Sequence, residues 1–437
     1  MKHLRRLARN PSIVIAIVCA LIFGGCAYSL ISGGRVNETH ADRVESGIQE
    51  IRQLSFTSHV PLVLKTPDDV EKMVLEDLKH DYTDEQLDAD GKAGSMLGLY
   101  PPGTDLKGET VRLLKSQIAG FYDPRTKQMV LVEGAETTSI TDRMVEFMVQ
   151  RDLINDMVLA HELTHALQDQ HFALQDNLDK LKNNSDEELA LKSVAEGDAT
   201  IAGFAYVIGR TDSSLVDSLT NSLKDLPQTF AAQSKDTPEG LSVPLIFQYS
   251  EGVRLVGEAF KRGGWKAVDA LYAKPPKSTQ QIIDPGLYFD HPQLPLKVSV
   301  AGYAATLGDW KQVDEDTFGQ LSIQLILQMG YGKNAGEVAV AKKWGGDRMA
   351  ILTRGSEVSV IWMTAFRDME SASTFENAYR ILMDRERAST PHVVERRGKA
   401  VLVIAGSVAA QAAMLAPAIW KASNTGASPL RAAASHS

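Results

Sequence analysis

The sequence predicts an α+β protein: a mainly helical core bearing a small antiparallel edge hairpin, followed by a smaller α+β domain. Three observations carry that reading. Apolar residues recur at helical spacing through residues 141–172 and 187–209, and residues 118–132 are extended in pattern around a short turn. After Val298, strand-like runs alternate with a helix.

At 437 residues, with 44% hydrophobic and 23% charged residues, the chain has ordinary globular composition and length enough for two or three domains. Its formal charge of -9, from 55 acidic and 46 basic residues, argues against a nucleic-acid partner, which would call for a basic surface.

Residues 1–34 read as an N-terminal membrane anchor or lipoprotein leader. Lys2, Arg5, Arg6 and Arg9 precede an uncharged apolar run over residues 13–31. Such a run is long enough to cross a bilayer, and the basic cluster keeps the N-terminus in the cytoplasm. An uncleaved anchor is preferred; a cleaved signal peptide, or a leader processed at Cys26 within Phe23-Gly24-Gly25-Cys26, are the alternatives. The remainder is then expected at the bacterial cell envelope, facing the periplasm or exterior. Both cysteines, Cys19 and Cys26, lie in this segment, so the chain beyond it has neither a disulfide nor a cysteine metal site.

Residues 35–105 are expected to be a charged helical segment that closes in Tyr100-Pro101-Pro102-Gly103. The core follows over residues 106–297. Its hairpin runs through Gly120-Phe121-Tyr122-Asp123-Pro124, turns from Arg125 to Lys127, and returns along Gln128-Met129-Val130-Leu131-Val132. Residues 141–172 read as two helices, 187–209 as one, and 243–272 as one. Lys274-Pro275-Pro276-Lys277-Ser278-Thr279 must be a loop, because each proline disfavours helix at and before itself. In the domain at 298–423, strands at 349–353 and 358–366 flank Arg354-Gly355-Ser356. A helix near 370–383 and a hairpin turning at Arg397-Gly398-Lys399 follow. Residues 424–437 are small and polar, and are predicted disordered.

The chemistry concentrates in His161-Glu162-Leu163-Thr164-His165. Residues four apart share one face of a helix, so the two imidazoles project together and can bind one metal ion, Zn2+ by preference. Glu162 sits beside that face, within reach of a metal-bound water as its general base. With 10 His in the chain, chance yields the pattern on the order of once in a hundred such sequences. A catalytic zinc needs a third protein ligand and an open position. Glu196, in Ala195-Glu196-Gly197-Asp198-Ala199-Thr200, is the candidate, since Ala199, Thr200 and Gly203 would let its helix approach the first closely. The competing reading of Glu196 is a solvated acid on an amphipathic helix.

His161-Glu162-Leu163-Thr164-His165 with a downstream Glu196 in a Glu-Gly-Asp-Ala context resembles the gluzincin metallopeptidases. Gly120-Phe121-Tyr122-Asp123-Pro124, Pro275-Pro276-Lys277-Ser278-Thr279 and Trp344-Gly345-Gly346-Asp347-Arg348 resemble a group of membrane-anchored or secreted bacterial proteins of that type. The resemblance is carried by residues 117–205. It implies a zincin-like helical core, with an antiparallel edge strand lining a cleft and peptide or protein substrates.

His171 stands at the spacing at which metzincins place a third histidine, but those enzymes need glycine where Gln168 stands here. Asp169 is a candidate for orienting a ligand imidazole, or else an exposed helix-end acid. For stabilising an oxyanion the chain offers Tyr206, Tyr249, His291 and His392, with no basis in the sequence for choosing between them. Two functions fit these residues: a zinc peptidase acting on envelope or extracellular proteins, and a non-catalytic zinc-containing binding or scaffold protein of the envelope. Glu162 argues for the first, since a scaffold has no use for a base.

Overall fold

A computed structural model describes residues 31–32, 35–115, 120–132, 154–224, 226–227, 230 and 236–425. The protein is α+β. The predicted anchor, apart from residues 31–32, and the first of the two helices expected at 141–172 lie outside the described residues. So does most of the tail, although Asn424 exchanges backbone and side-chain hydrogen bonds with Ser299.

Strands β1 (Ile31–Ser32) and β2 (Arg35–Val36) form a short antiparallel pair ahead of helix α1 (Glu38–Arg52). Asn37 caps α1, and Val44, Ile48 and Arg52, spaced four apart, form one buried stripe. The segment is not wholly helical: β3 (Leu62–Lys65) precedes α2 (Pro67–Asp81) and α3 (Asp84–Leu97). Thr66 and Pro67 start α2, a Thr83–Gln86 capping box starts α3, and Gly98 ends it at φ 92°. Helix α4 (Leu106–Lys115) leads to the predicted hairpin, β4 (Gly120–Asp123) and β5 (Gln128–Val132). In the sheet order β3-β5-β4, β3 runs parallel to β5 and β4 is left at an edge.

Three helices carry the site: α5 (Ile154–Phe172), α6 (Ser185–Ile208) and, after α7 (Ser213–Leu223), α8 (Glu239–Ala273). The backbone of α8 departs from helical geometry at Gly263 and Gly264, so the single helix expected there is two joined pieces. Glycine fixes how closely these helices cross. A Cβ on Gly203 would lie 3.0 Å from the Met157 carbonyl and 3.4 Å from the His161 Cβ. One on Gly197 would lie 2.3 Å from the Gly252 carbonyl, and one on Gly252 would lie 2.2 Å from that of Ser193. Helix α6 therefore meets α8 backbone to backbone at Gly197, next to Glu196.

Beyond Val298 a five-stranded antiparallel sheet has the order β6-β7-β8-β10-β9. Its strands are β6 (Lys311–Asp316), β7 (Trp344–Arg354), β8 (Glu357–Phe366), β9 (His392–Arg397) and β10 (Ala400–Gly406). Helices α9 (Gly319–Tyr331), α10 (Met369–Glu386) and α11 (Ala412–Ala422) complete it. The period of two divides its side chains between two cores. Met349, Ile351, Val360 and Trp362 join one that continues into α5, α6 and α8, while Ala350, Leu352, Ile361 and Met363 pack with Leu415 and Ile419 of α11. The sheet is thus packed against the helical part, and Tyr379 of α10 donates a hydrogen bond to the Leu97 carbonyl.

Candidate metal centre

His161 and His165 stand one turn apart on α5, with their Nε2 atoms 3.1 Å from each other. Glu196 Oε2, brought in by α6, is 3.2 Å from His161 Nε2 and 3.6 Å from His165 Nε2. Donors held 2.0–2.1 Å from a tetrahedral zinc lie about 3.3–3.4 Å apart, so this spacing fits three corners around one ion. Glu196 Oε2 is buried and has no hydrogen-bond partner, as befits an atom reserved for a cation. Among the described residues no other His, Cys, Asp or Glu side chains converge in this way.

The three side chains are also electrically coupled. Burial would lower the His165 imidazolium, but the carboxylates of Glu196 and Glu162 outweigh it and lift the group to about 9. Burial would likewise raise Glu196, and the two imidazoles instead hold its carboxyl well below the usual range. The imidazoles and the Glu196 carboxylate thus stabilise one another's charged forms.

Glu162 stays outside the ligand set. Its Oε2 accepts a hydrogen bond of 3.0 Å from the Tyr122 backbone N–H, which puts edge strand β4 beside the site. Asp169 does not orient an imidazole. Buried on α5, it accepts from the Tyr122 hydroxyl at 3.1 Å and pairs with Lys127, tying the helix to the β4–β5 hairpin. The cation of Lys127 is the stronger partner for a carboxylate, and the longer amide of Gln168 takes the place beside His165, its Oε1 lying 2.8 Å from Nδ1. His171 is exposed and bonded to the Ser55 carbonyl at 2.7 Å, while α5 runs unbroken through Gln168, so the chain does not turn as a metzincin does.

Of the four oxyanion candidates, Tyr249 alone lies at the centre. Its ring stacks on His161 with centroids 6.2 Å apart, and its hydroxyl bonds to Glu196. Burial, with Glu196 and Glu162 nearby, pushes that hydroxyl well above the usual phenol range, so it remains a donor. Tyr206 lies ten residues past Glu196 on α6, about 15 Å along the helix, and packs over Gly47. His291 is exposed. His392 sits on β9, bonded to Thr390 and Asp384.

Sequence reasoning also missed a buried group behind His165, formed by Gln168, Asp198, Arg52 and Tyr272. The only signal was Asp198, two residues past Glu196 in an apolar helix. A cavity of about 650 Å³ opens beside His165 and Glu196; its walls include Tyr82, Tyr100, Leu245 and Leu321, with Asp90 and Asp316 also lining it.

A family model described as a domain of unknown function, DUF8575, matches residues 306–416. That stretch covers the C-terminal sheet and not the metal centre. No curated protein and no solved structure matches the chain.

Proposed function

We propose that the chain is a zinc metallopeptidase of gluzincin type, with a zincin-like core, that hydrolyses peptide bonds of envelope or extracellular proteins. What supports this above all is the division of roles along one helical turn. His161 and His165 converge with Glu196, while Glu162 stands beside that set without joining it. A protein that only stored a metal would have no use for a carboxylate in that position.

Zinc bound there would supply a Lewis acid that brings the pKa of a coordinated water toward about 7. Glu162 accepts the proton of the attacking water and passes it to the departing amine. The Tyr249 hydroxyl, held protonated by its surroundings, donates a hydrogen bond to the oxygen on which charge develops. The outer edge of β4 offers main-chain groups to an extended peptide, and the cavity beside Glu196 offers room for its side chains. The basic and apolar N-terminal segment holds the enzyme at the membrane with its remainder facing outward. No helix among the described residues is long and apolar enough to cross a membrane.

Zinc content and chelator-sensitive peptide cleavage test the reading. Glu196→Ala leaves two imidazoles, too weak a set to keep zinc through dialysis against a mild chelator, whereas His171→Ala keeps it. Zinc retained in the first and lost in the second would overturn the assignment.

A further inference from the structure

The two histidines of the centre are supported unequally. His161 is packed between Gly203 and Tyr249, and its buried Nδ1 has no hydrogen-bond partner among the described residues. His165 is instead connected through its Nδ1 to a chain of polar groups that ends 146 residues upstream of Asp198, in α1.

We propose that Gln168, fixed in orientation by Asp198, Arg52 and Tyr272, is a positioning residue that holds His165 in the Nδ1–H tautomer and so keeps Nε2 free for the metal. The inference rests on reading His161, His165 and Glu196 as ligands. An amide has a donor end and an acceptor end. Gln168 Nε2 donates to the Ala195 carbonyl at 2.9 Å and to Asp198 Oδ2 at 3.2 Å, and both partners only accept. Turned over, the buried amide would set its oxygen against two oxygens and lose both bonds. Oε1 is therefore held toward His165 Nδ1, which must carry the proton, and the Nε2 lone pair faces His161 and Glu196.

Asp198 cannot turn away to relax this arrangement. Arg52 Nε lies 2.7 Å from its Oδ1, Arg52 Nη2 donates to Oδ2 at 3.2 Å, and the Tyr272 hydroxyl donates to Oδ2 at 2.8 Å. Arg52 is in turn held by Asp269 at 2.7 Å and lies 4.4 Å over the Trp265 ring. Both Arg52 and Asp198 are fully buried. A neutral amide between imidazole and carboxylate also keeps a third negative charge away from a centre that already has Glu162 and Glu196, and Arg52 cancels the charge of Asp198.

The test is a double-mutant cycle read as zinc affinity, by competition with a chromophoric chelator, with thermal unfolding of the metal-free protein followed in parallel. Gln168→Glu alone sets two carboxylates face to face, and Asp198→Asn alone releases the amide; each is expected to weaken zinc binding about tenfold or more, the usual scale for losing such support. Gln168→Leu is expected to weaken binding by a similar factor, and because Tyr272 acts only through the amide, adding Tyr272→Phe to Gln168→Leu should change affinity by less than about twofold further. Tyr272→Phe, which keeps the ring stacked on Phe172 and removes only the hydroxyl on Asp198, is a milder probe should either charge variant fail to fold, with an expected loss of about twofold to fivefold. Losses that multiply in the double variant, or an unchanged affinity in Tyr272→Phe and Gln168→Leu, would overturn the relay. A parent protein that binds no zinc would instead overturn the metal centre itself.

Discussion

Asp198 in the helical part and Asp347 in the C-terminal sheet are both buried carboxylates, and the protein satisfies them in opposite ways. Asp198 meets a cation, Arg52, and shares its remaining capacity with Tyr272 and Gln168. Asp347 meets no cation among the described residues. It accepts four neutral N–H donors at 2.9–3.0 Å: the backbones of Phe318 and Gly319, at the start of α9, and the indoles of Trp344 and Trp362. Burial still raises the Asp347 carboxyl, with the four donors opposing it. The difference separates two uses of a buried charge. Asp198 is cancelled and linked through Gln168 to His165, whereas Asp347 gathers a helix start and two fully buried tryptophans into one joint. Trp344-Gly345-Gly346-Asp347 is thus a folding device: a Cβ on Gly346 would lie 2.3 Å from the Leu296 carbonyl, so glycine is needed for that close approach.

The strongest way to break the comparison is Asp347→Ala. Four buried donors lose their acceptor at about 1–3 kcal/mol each, which rivals the whole stability of an ordinary domain. Insoluble protein, or thermal unfolding many degrees lower, is expected, with zinc per folded molecule unchanged. An unaltered unfolding curve would remove Asp347 from its role. Glu162→Gln is the converse in the helical part. Zinc stays near one per chain and unfolding is unchanged, while turnover falls by about a hundredfold or more, some 2.7 kcal/mol of barrier. Cleavage as fast as the parent's would mean that Glu162 is not the base.

The convergence of His161, His165 and Glu196 was legible because its geometry is local. The turn of one helix fixes His161 against His165, and the small residues around Glu196 announce a close helix crossing, realised at Gly203 and Gly197. The hairpin and the β7–β8 pair were legible as short apolar runs on either side of turn residues. What tertiary structure decides was not. Arg52 reaches Asp198 across 146 residues and Tyr272 across 74, and no pattern in the chain links them. Asp169 and Gln168 are neighbours on one helix, and Lys127 on a separate hairpin determined which of them faces His165. Strand β3 was read as helix because its four residues find a partner only in β5, which runs parallel to it and lies far along the chain.

Asp90 supplies the smallest effect and a third way to bury an acid. Among the described residues no cation and no ring of donors serves it: Oδ1 is buried without a partner, the carboxyl shares a hydrogen bond with Asp314, and Asp316 adds a second like charge. Burial first, and then these like charges, push its carboxyl up to about 8, while burial brings Asp316 up to about 7. Both values lie above the ordinary 3.8, so the folded state binds protons more readily than the unfolded chain. Their contribution to stability is then full below about pH 4 and is lost as pH rises through 7 to 8. Asp90→Asn removes the charge that has to be buried at alkaline pH. The variant should therefore gain on the parent steadily as pH rises from about 4 to 8, read as a urea midpoint that climbs relative to the parent's between pH 5 and pH 8 with an unchanged slope. Equal midpoints at both pH values would mean that Asp90 is already relieved by a partner, and the protein would then hold its buried acids in two ways and not three.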